Sequence, residues 1–132
     1  MSKRRAECSC GKLSVTTDGE PLRVSVCHCH ACQRRTGSAF GVQAWFPIAN
    51  VVVSGQSEHY VRIGDSGSPI PFHFCPDCGS TVYWQLEDRP DGIAVAVGAF
   101  ADSTFPGPSV SVYDESRRHG WVRLPDDIVR RG

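Results

Sequence analysis

Seven cysteines, grouped in three short clusters, are the residues of this chain best suited to chemistry. The clusters are Cys8-Ser9-Cys10-Gly11, Cys27-His28-Cys29-His30-Ala31-Cys32 and Cys75-Pro76-Asp77-Cys78-Gly79. An odd number of thiols leaves one unpaired if the others form disulfides, and closely spaced cysteines in proteins of reducing compartments are typical of metal sites. We therefore interpret the clusters as metal ligands.

Two of the clusters are cysteine pairs that a glycine follows, and the Cys75/Cys78 pair has the form of a zinc knuckle. Structural zinc takes four ligands, so the spacing predicts one zinc ion held by Cys8, Cys10, Cys75 and Cys78. The alternative is that these four are buried or reactive thiols without a metal, because free cysteine is often buried. The glycine after each pair favours the zinc site.

The three remaining cysteines, Cys27, Cys29 and Cys32, are the catalytic candidates. Zinc sites that react have three protein ligands and an open fourth position. Three thiolates weaken zinc as an activator of water, so such a site favours an incoming thiol that is held as thiolate and presented to an electrophile. The alternative is a closed structural site in which His28 or His30 supplies the fourth ligand.

Four residues that follow the third cysteine are candidates for substrate contacts. Arg34 and Arg35 are positioned to bind a carboxylate of the thiol, because guanidinium matches carboxylate in bidentate geometry. Thr36 and Ser38 are candidates to donate a hydrogen bond to a developing alkoxide. The alternatives are solvated arginines and hydroxyls that serve the turn at Gly37.

The elements that must position these residues are short strands. The pattern predicts strands at residues 13–17, 22–26, 39–46, 51–54, 59–63, 70–74, 81–86, 93–99 and 109–113. Residues 31–36 suit one helical turn that ends at Gly37. Surface turns are expected at 64–69, 88–92 and 102–108. The prediction is a mainly β fold.

Composition limits the partners and the location. The chain has 132 residues, with 14 Lys and Arg against 14 Asp and Glu, and nucleic-acid-binding domains usually carry a basic excess. Its longest mostly apolar stretch, residues 93–101, is shorter than the roughly 18–20 residues that span a bilayer. We expect neither nucleic acid nor membrane as a partner. No apolar segment of a secretory signal follows the basic N-terminus, so a cytoplasmic location is expected.

The cysteine motifs, together with Thr36-Gly37-Ser38-Ala39-Phe40 and Phe74-Cys75-Pro76-Asp77-Cys78-Gly79-Ser80, resemble the glutathione-dependent formaldehyde-activating (GFA) family over about residues 6–125. The resemblance implies one domain over residues 1–132, folded as a β-tent of small packed antiparallel sheets. It also implies two Zn²⁺ ions, a structural one on Cys8, Cys10, Cys75 and Cys78 and a catalytic one on Cys27, Cys29 and Cys32. The implied activity is that of a carbon-sulfur lyase related to S-hydroxymethylglutathione synthase.

The leading hypothesis is that a small glutathione-like thiol binds at the three-cysteine zinc and adds to an aldehyde such as formaldehyde, which gives a hemithioacetal. The competing hypothesis is a non-catalytic, zinc-stabilised β domain that binds a protein partner. A zinc deaminase is disfavoured, because that class needs a His-x-Glu or Cys-x-Glu segment ahead of its Pro-Cys-x-x-Cys stretch, and the sequence has none.

Overall fold

Strands dominate the chain because β-branched and aromatic residues alternate between closely spaced turn formers. The computed structural model describes residues 2–132. Its strands are β1 (Lys3–Glu7), β2 (Ser14–Asp18), β3 (Arg23–Cys27), β4 (Gly41–Pro47), β5 (Val51–Ser54), β6 (Glu58–Ile63), β7 (Pro69–Phe74), β8 (Thr81–Leu86), β9 (Arg89–Ala96), β10 (Val110–Val112) and β11 (Val129–Arg130). The α-helices are α1 (His30–Thr36) and α2 (Asp114–Arg117), and 3₁₀ turns span Ile48–Asn50 and Val97–Phe100. The prediction of a mainly β fold is confirmed. Within residues 2–132, no helix has the length and apolarity that a membrane crossing requires.

The strands form two sheets. One has three strands in the order β1-β2-β5, and the other has eight in the order β11-β10-β3-β4-β9-β8-β7-β6. All strand pairs of the three-stranded sheet are antiparallel, as predicted. The same holds for the part of the large sheet with the order β3-β4-β9-β8-β7-β6. The departure is β10, which runs parallel to both β3 and β11. Parallel neighbouring strands need a long connection between them. After β9, the chain crosses to the far side of β3 before it forms β10.

Two predicted boundaries near β9 are wrong. Residues 88–92 were expected to form a turn, but β9 already begins at Arg89, and Gly92 lies against the ring of Trp45, where a Cβ atom would collide. The predicted strand at 93–99 ends at Ala96, where a 3₁₀ turn begins. The strand β1 has no apolar alternation to reveal it, because Ala6 is its only buried residue and its other side chains are polar.

The large sheet carries apolar clusters on both faces. Ile93 and Val95 of β9 belong to the core cluster that also contains Ala6 and Val15 of the small sheet. Ala94, which lies between them in sequence, belongs to a second cluster with Ile70, Phe72 and Trp84. Successive strand residues point to opposite faces, so the first cluster fills the space between the sheets. The second cluster forms an aromatic surface on the opposite face.

The buried carboxylate of Asp114 connects the C-terminal segment to the loop that carries Cys27 and Cys29. Asp114, at the start of α2, accepts hydrogen bonds from Ser111 Oγ at 2.7 Å and from Arg130 Nη1 at 3.0 and 3.1 Å. Since the Ser111 hydroxyl donates its proton to Asp114, it accepts from Nε2 of the fully buried His28, 2.9 Å away. The network therefore connects α2 and β11 to the residue between Cys27 and Cys29.

We expect Asp114→Asn to lower the free energy of unfolding by about 1–2 kcal/mol at pH 7, because the hydrogen bonds from Ser111 and Arg130 lose a charged acceptor. Burial raises the pKa of Asp114, but the hydrogen bonds from Ser111 and Arg130 outweigh it, so the pKa is lowered. A lowered folded-state pKa stabilises the fold above the unfolded pKa of about 3.9, and this stabilisation is lost as the pH falls through the folded-state pKa. Urea unfolding at a series of pH values should show the difference from wild type shrinking in acid.

The control for this variant is Glu115→Gln, which changes an exposed carboxyl on the same helix and should change stability by less than about 0.5 kcal/mol. An Asp114→Asn protein as stable as wild type at pH 7 would contradict the role given to the network.

Candidate metal centres and active site

The four cysteines of the two pairs meet at one point between β1 and β8. Their Sγ atoms all lie within 4.8 Å of one another, and the Cys8–Cys10 and Cys10–Cys75 sulfur distances are both 3.6 Å. Zinc–sulfur bonds of about 2.3 Å in a tetrahedron separate the sulfurs by about 3.8 Å. The group therefore has the ligand type and the size that zinc needs.

Both pairs lie in turns that the N–H of a glycine closes. The N–H of Gly11 donates to the carbonyl of Cys8 at 3.0 Å, and the N–H of Gly79 donates to the carbonyl of Cys75 at 2.8 Å. Both glycines adopt left-handed backbone conformations, with φ of 82° and 81°, which side chains disfavour. This explains the glycine that follows each pair in the sequence. The turns place Cys8 and Cys75 in the core.

Polar side chains outside the four cysteines also join the two turns. Ser9 Oγ lies 2.9 Å from Ser80 Oγ, and Lys12 Nζ forms an ion pair with Asp77 Oδ2 at 2.7 Å. A hydrogen bond from the backbone of Ser80 lowers the pKa of Cys78 to about 5. One ligand of the group is thus already a thiolate at neutral pH.

The other three cysteines come together where β3 passes into α1. Cys27 ends β3, Cys29 caps the helix by accepting from the N–H of Cys32 at 3.4 Å, and the three Sγ atoms lie within 4.8 Å of one another. Gly37, with φ of 69°, ends the helix, so the helical turn predicted at 31–36 is present as α1. We call this three-cysteine group the triad.

Hydrogen bonding within the triad favours one thiolate. Hydrogen bonds from Cys27 and then Cys32 stabilise the Cys29 thiolate and lower its pKa, with a smaller contribution from the guanidinium of Arg62. The hydrogen bond with Cys29 in turn raises the pKa of Cys27. A divalent cation would offset the accumulated charge and let all three ionise, so the donor set fits a metal thiolate site.

Both histidines of the loop point away from the triad. Among residues 2–132, the mutually close ligand atoms at this site are the three cysteine sulfurs, without a histidine nitrogen. His28 is buried and bonded to Ser111, whereas His30 is exposed and its Nδ1 accepts from Arg117 Nη1 at 2.6 Å. This placement favours the open three-cysteine site over the closed one.

The candidates for substrate contacts divide into two kinds. Arg34 is exposed, and Arg35 is half-buried, with its guanidinium carbon 4.5 Å from the centre of the Trp84 ring. The hydroxyl of Thr36 instead donates to the Cys32 carbonyl at 2.9 Å and accepts from the N–H of Ser38 at 3.1 Å. The arginines thus border open space, and the hydroxyl of Thr36 serves the end of the helix.

Two cavities reach the triad from different sides. The arginine cavity, of about 400 Å³, is lined by Ala31, Cys32, Arg34, Arg35, Tyr60, Arg62, Phe72, Phe74 and Thr81. The polar cavity, of about 280 Å³, is lined by Cys27, Cys29, His30, Ala31, Arg62, Gly64, Asp65, Ser66, Ile70, Tyr113 and Arg117. Ala31 and Arg62 line both. Two reactants can therefore reach the triad through separate but neighbouring cavities.

Most of the residues that line the two cavities were not identified as candidates from the sequence. Tyr60 and Arg62 lie on β6, and Phe72 lies on β7, and no local motif links these strands to the triad cysteines. The one sequence signal is Arg62, a charged residue between the apolar residues Val61 and Ile63. Strand pairing, rather than spacing along the chain, brings these residues to the triad.

Comparisons with known proteins agree with the cysteine motifs. The family model described as glutathione-dependent formaldehyde-activating enzyme matches residues 3–116. A curated protein of Penicillium rubens, named putative glutathione-dependent formaldehyde-activating enzyme, is 26% identical over 89 residues, which make up 67% of this chain and 46% of that protein. The chain thus spans about half the length of that relative. A crystal structure of a Rhodobacter sphaeroides protein shares the fold, with a TM-score of 0.55 at 20% identity over 72% of this chain and 85% of the other.

We expect the two cysteine groups to respond differently to mutation. Cys78→Ser should remove one zinc ion and most of the stability, because the four-cysteine group ties together turns that lie far apart in sequence and structural zinc contributes about 10–16 kcal/mol of binding free energy. Cys29→Ser should remove the other zinc ion and leave the melting temperature nearly unchanged, since the triad closes only a short segment. Metal analysis and thermal unfolding of both variants check this.

Equal destabilisation by the two substitutions would contradict the division into a structural and a reactive site. So would a zinc content that neither substitution changes.

Proposed function

Since this chain belongs to the glutathione-dependent formaldehyde-activating enzyme family, we propose that it is a zinc-dependent carbon-sulfur lyase that joins a small thiol to an aldehyde. Glutathione and formaldehyde are the reactants that the family name supports, and S-hydroxymethylglutathione is then the product. The observation that carries the proposal is the position of the triad, where two cavities meet. One cavity admits the thiol and the other admits the aldehyde.

Two zinc ions per chain belong to this proposal. Cys8, Cys10, Cys75 and Cys78 would hold the structural ion, and the triad would hold the catalytic one. Zinc bound at the triad would lower the pKa of an incoming thiol, which would then remain a thiolate at neutral pH. None of the seven cysteines forms a disulfide, which suits a reducing compartment, and we place the reaction in the cytoplasm.

The reaction forms one carbon-sulfur bond and needs no oxidant. The thiol gives up its proton, and a sulfur electron pair attacks the carbonyl carbon. The π pair of the carbonyl moves to oxygen, which takes up a proton to give the hemithioacetal. The reverse sequence breaks the carbon-sulfur bond and is the lyase step.

Side chains at the two cavities suit the two reactants. Arg34 and Arg35 bind a carboxylate of the thiol, which places its sulfur beside Cys32. In the polar cavity, the Arg117 guanidinium is the donor that faces developing negative charge on the aldehyde oxygen, because the Tyr113 hydroxyl already donates to Asp65. Of the two hydroxyls that the sequence suggested for this role, that of Thr36 is engaged at the helix end, and that of Ser38 stays a candidate.

One observation favours the competing function, a zinc-stabilised protein-binding domain. The strand β6 forms an edge of the large sheet and exposes Tyr60, Val61 and Ile63. Exposed apolar edge strands are sites where a partner strand can add. In that case both metals would be structural and the triad would have no turnover.

We expect the zinc-loaded protein to accelerate exchange between free formaldehyde and its glutathione adduct at least tenfold over the spontaneous rate. NMR exchange spectroscopy measures both rates in one sample. Cys29→Ser should return the rate to the spontaneous value, because it removes a ligand of the reactive site while keeping the fold. If the wild-type protein holds two zinc ions and gives no acceleration, the enzymatic function is wrong and the protein-binding function is favoured.

A further inference from the structure

We infer that the arginine cavity selects a thiol whose carboxylate is carried on an aromatic or similar apolar body, in preference to the polar tripeptide glutathione. The inference rests on the proposed function, because it specifies the thiol that reaches the triad. Its basis is the lining of the arginine cavity, in which three guanidinium groups and three aromatic rings surround the approach to Cys32.

The charge of the cavity calls for an anion. Arg34, Arg35 and Arg62 line it, and its lining within residues 2–132 includes neither aspartate nor glutamate. The ion pairs found in this part of the chain do not involve any of the three arginines. The triad sulfurs offset part of the charge of Arg35 and Arg62, and a carboxylate from the ligand can offset the charge that remains.

Arg35 shows this most clearly. Its Nε and Nη2 atoms are buried, and neither has a hydrogen-bond partner among residues 2–132. A Cβ atom at Gly41 would lie only 2.6 Å from Nη2, so this position has room for the guanidinium only because it is glycine. The Arg35 guanidinium thus lies at the cavity with hydrogen-bonding capacity that the described residues leave unused.

Aromatic stacking holds the arginines beside the cavity. The guanidinium carbons of Arg35 and Arg62 lie 5.8 Å and 5.3 Å from the centre of the Phe72 ring, and that of Arg35 also stacks on Trp84. Stacking on a ring face uses the π surface of guanidinium rather than its N–H groups. Arginines fixed in this way are preorganised for an anion.

The walls of the cavity suit an apolar body. Since the guanidiniums of Arg35 and Arg62 cover Phe72, the rings of Tyr60 and Phe74 are the ones that face the space of about 400 Å³, which is within the size range of small-molecule sites. An aromatic ligand gains stacking with these rings. The two carboxylates of glutathione also suit the arginines, but its ammonium group and two peptide groups find no acidic partner and few polar ones in this lining.

The test uses the zinc-loaded full-length protein and compounds matched in shape. Isothermal titration calorimetry should show that 4-methylbenzoate, which has no thiol, binds at least tenfold more tightly than the neutral 4-methylbenzamide. Arg35→Gln and Arg62→Gln should each weaken benzoate binding about tenfold and leave benzamide binding unchanged. Arg23→Gln removes the same charge from an exposed position on β3 and should change neither.

The same preference should appear in turnover. With formaldehyde, 4-(mercaptomethyl)benzoate should exceed both 4-(mercaptomethyl)benzamide and glutathione at least tenfold in kcat/KM. The advantage over the amide should disappear in the Arg62→Gln variant. Arg62 is half-buried on an edge strand, so this variant should fold even if Arg35→Gln does not.

The outcomes separate this inference from the proposed function. Equal binding of benzoate and benzamide, or equal loss in Arg23→Gln and Arg62→Gln, would overturn the carboxylate site. Turnover in which glutathione is the best thiol would overturn the inference and leave the proposed function standing. Arginine-dependent benzoate binding without acceleration by any thiol would support the carboxylate site and overturn the proposed reaction.

Discussion

The meeting of four sulfurs from two distant turns is the constraint on which the rest of this structure depends. Cys8 follows the edge strand of the small sheet, and Cys75 follows β7 of the large sheet. Both are buried in the core between the sheets, with the sulfurs of Cys10 and Cys78 beside them. Several thiolates at one buried point repel each other and lose hydration unless a cation joins them. In our account, the metal is therefore part of the core that holds the sheets together.

Under the proposed function, this division of roles would leave the triad free to react. Its three cysteines lie within six residues, so the fold does not need a fourth ligand there to close it. Other contacts hold the loop in place. Cys27 belongs to β3, and Cys29 caps α1. His28, which lies between these two cysteines, is bonded to Ser111, and Ser111 is bonded to Asp114. A rigid loop with an open coordination position is what binding of an external thiol requires.

Local features of the structure could be predicted from the sequence, and features made by distant pairing could not. The cysteine spacings predicted both groups of sulfurs, and the strands at 51–54 and 81–86 match β5 and β8. Both follow from short-range geometry, in which turns and alternation depend on neighbouring residues. The parallel position of β10 depends instead on where a long connection leads, and the polar β1 has no pattern of its own.

The same limit applies to the candidate site. Arg34 and Arg35 were identified because they follow the triad in sequence, whereas Arg62 and Phe72 reach it only through the pairing of β6, β7 and β8. The buried contact of His28 with Ser111 joins residues 83 positions apart, so it leaves no signal in either segment. Spacing therefore predicted which sulfurs come together, whereas the residues that line the cavities could be identified only from the structure.

The most direct test of the central claim, that the triad accepts an incoming thiol, is X-ray absorption spectroscopy at the zinc edge with and without added thiol. One four-sulfur site and one three-sulfur site predict an average of about 3.5 sulfurs per zinc ion, which should rise to about four when a thiol is added. A spectrum that includes histidine nitrogen and does not change with thiol would show a closed second site and contradict the account.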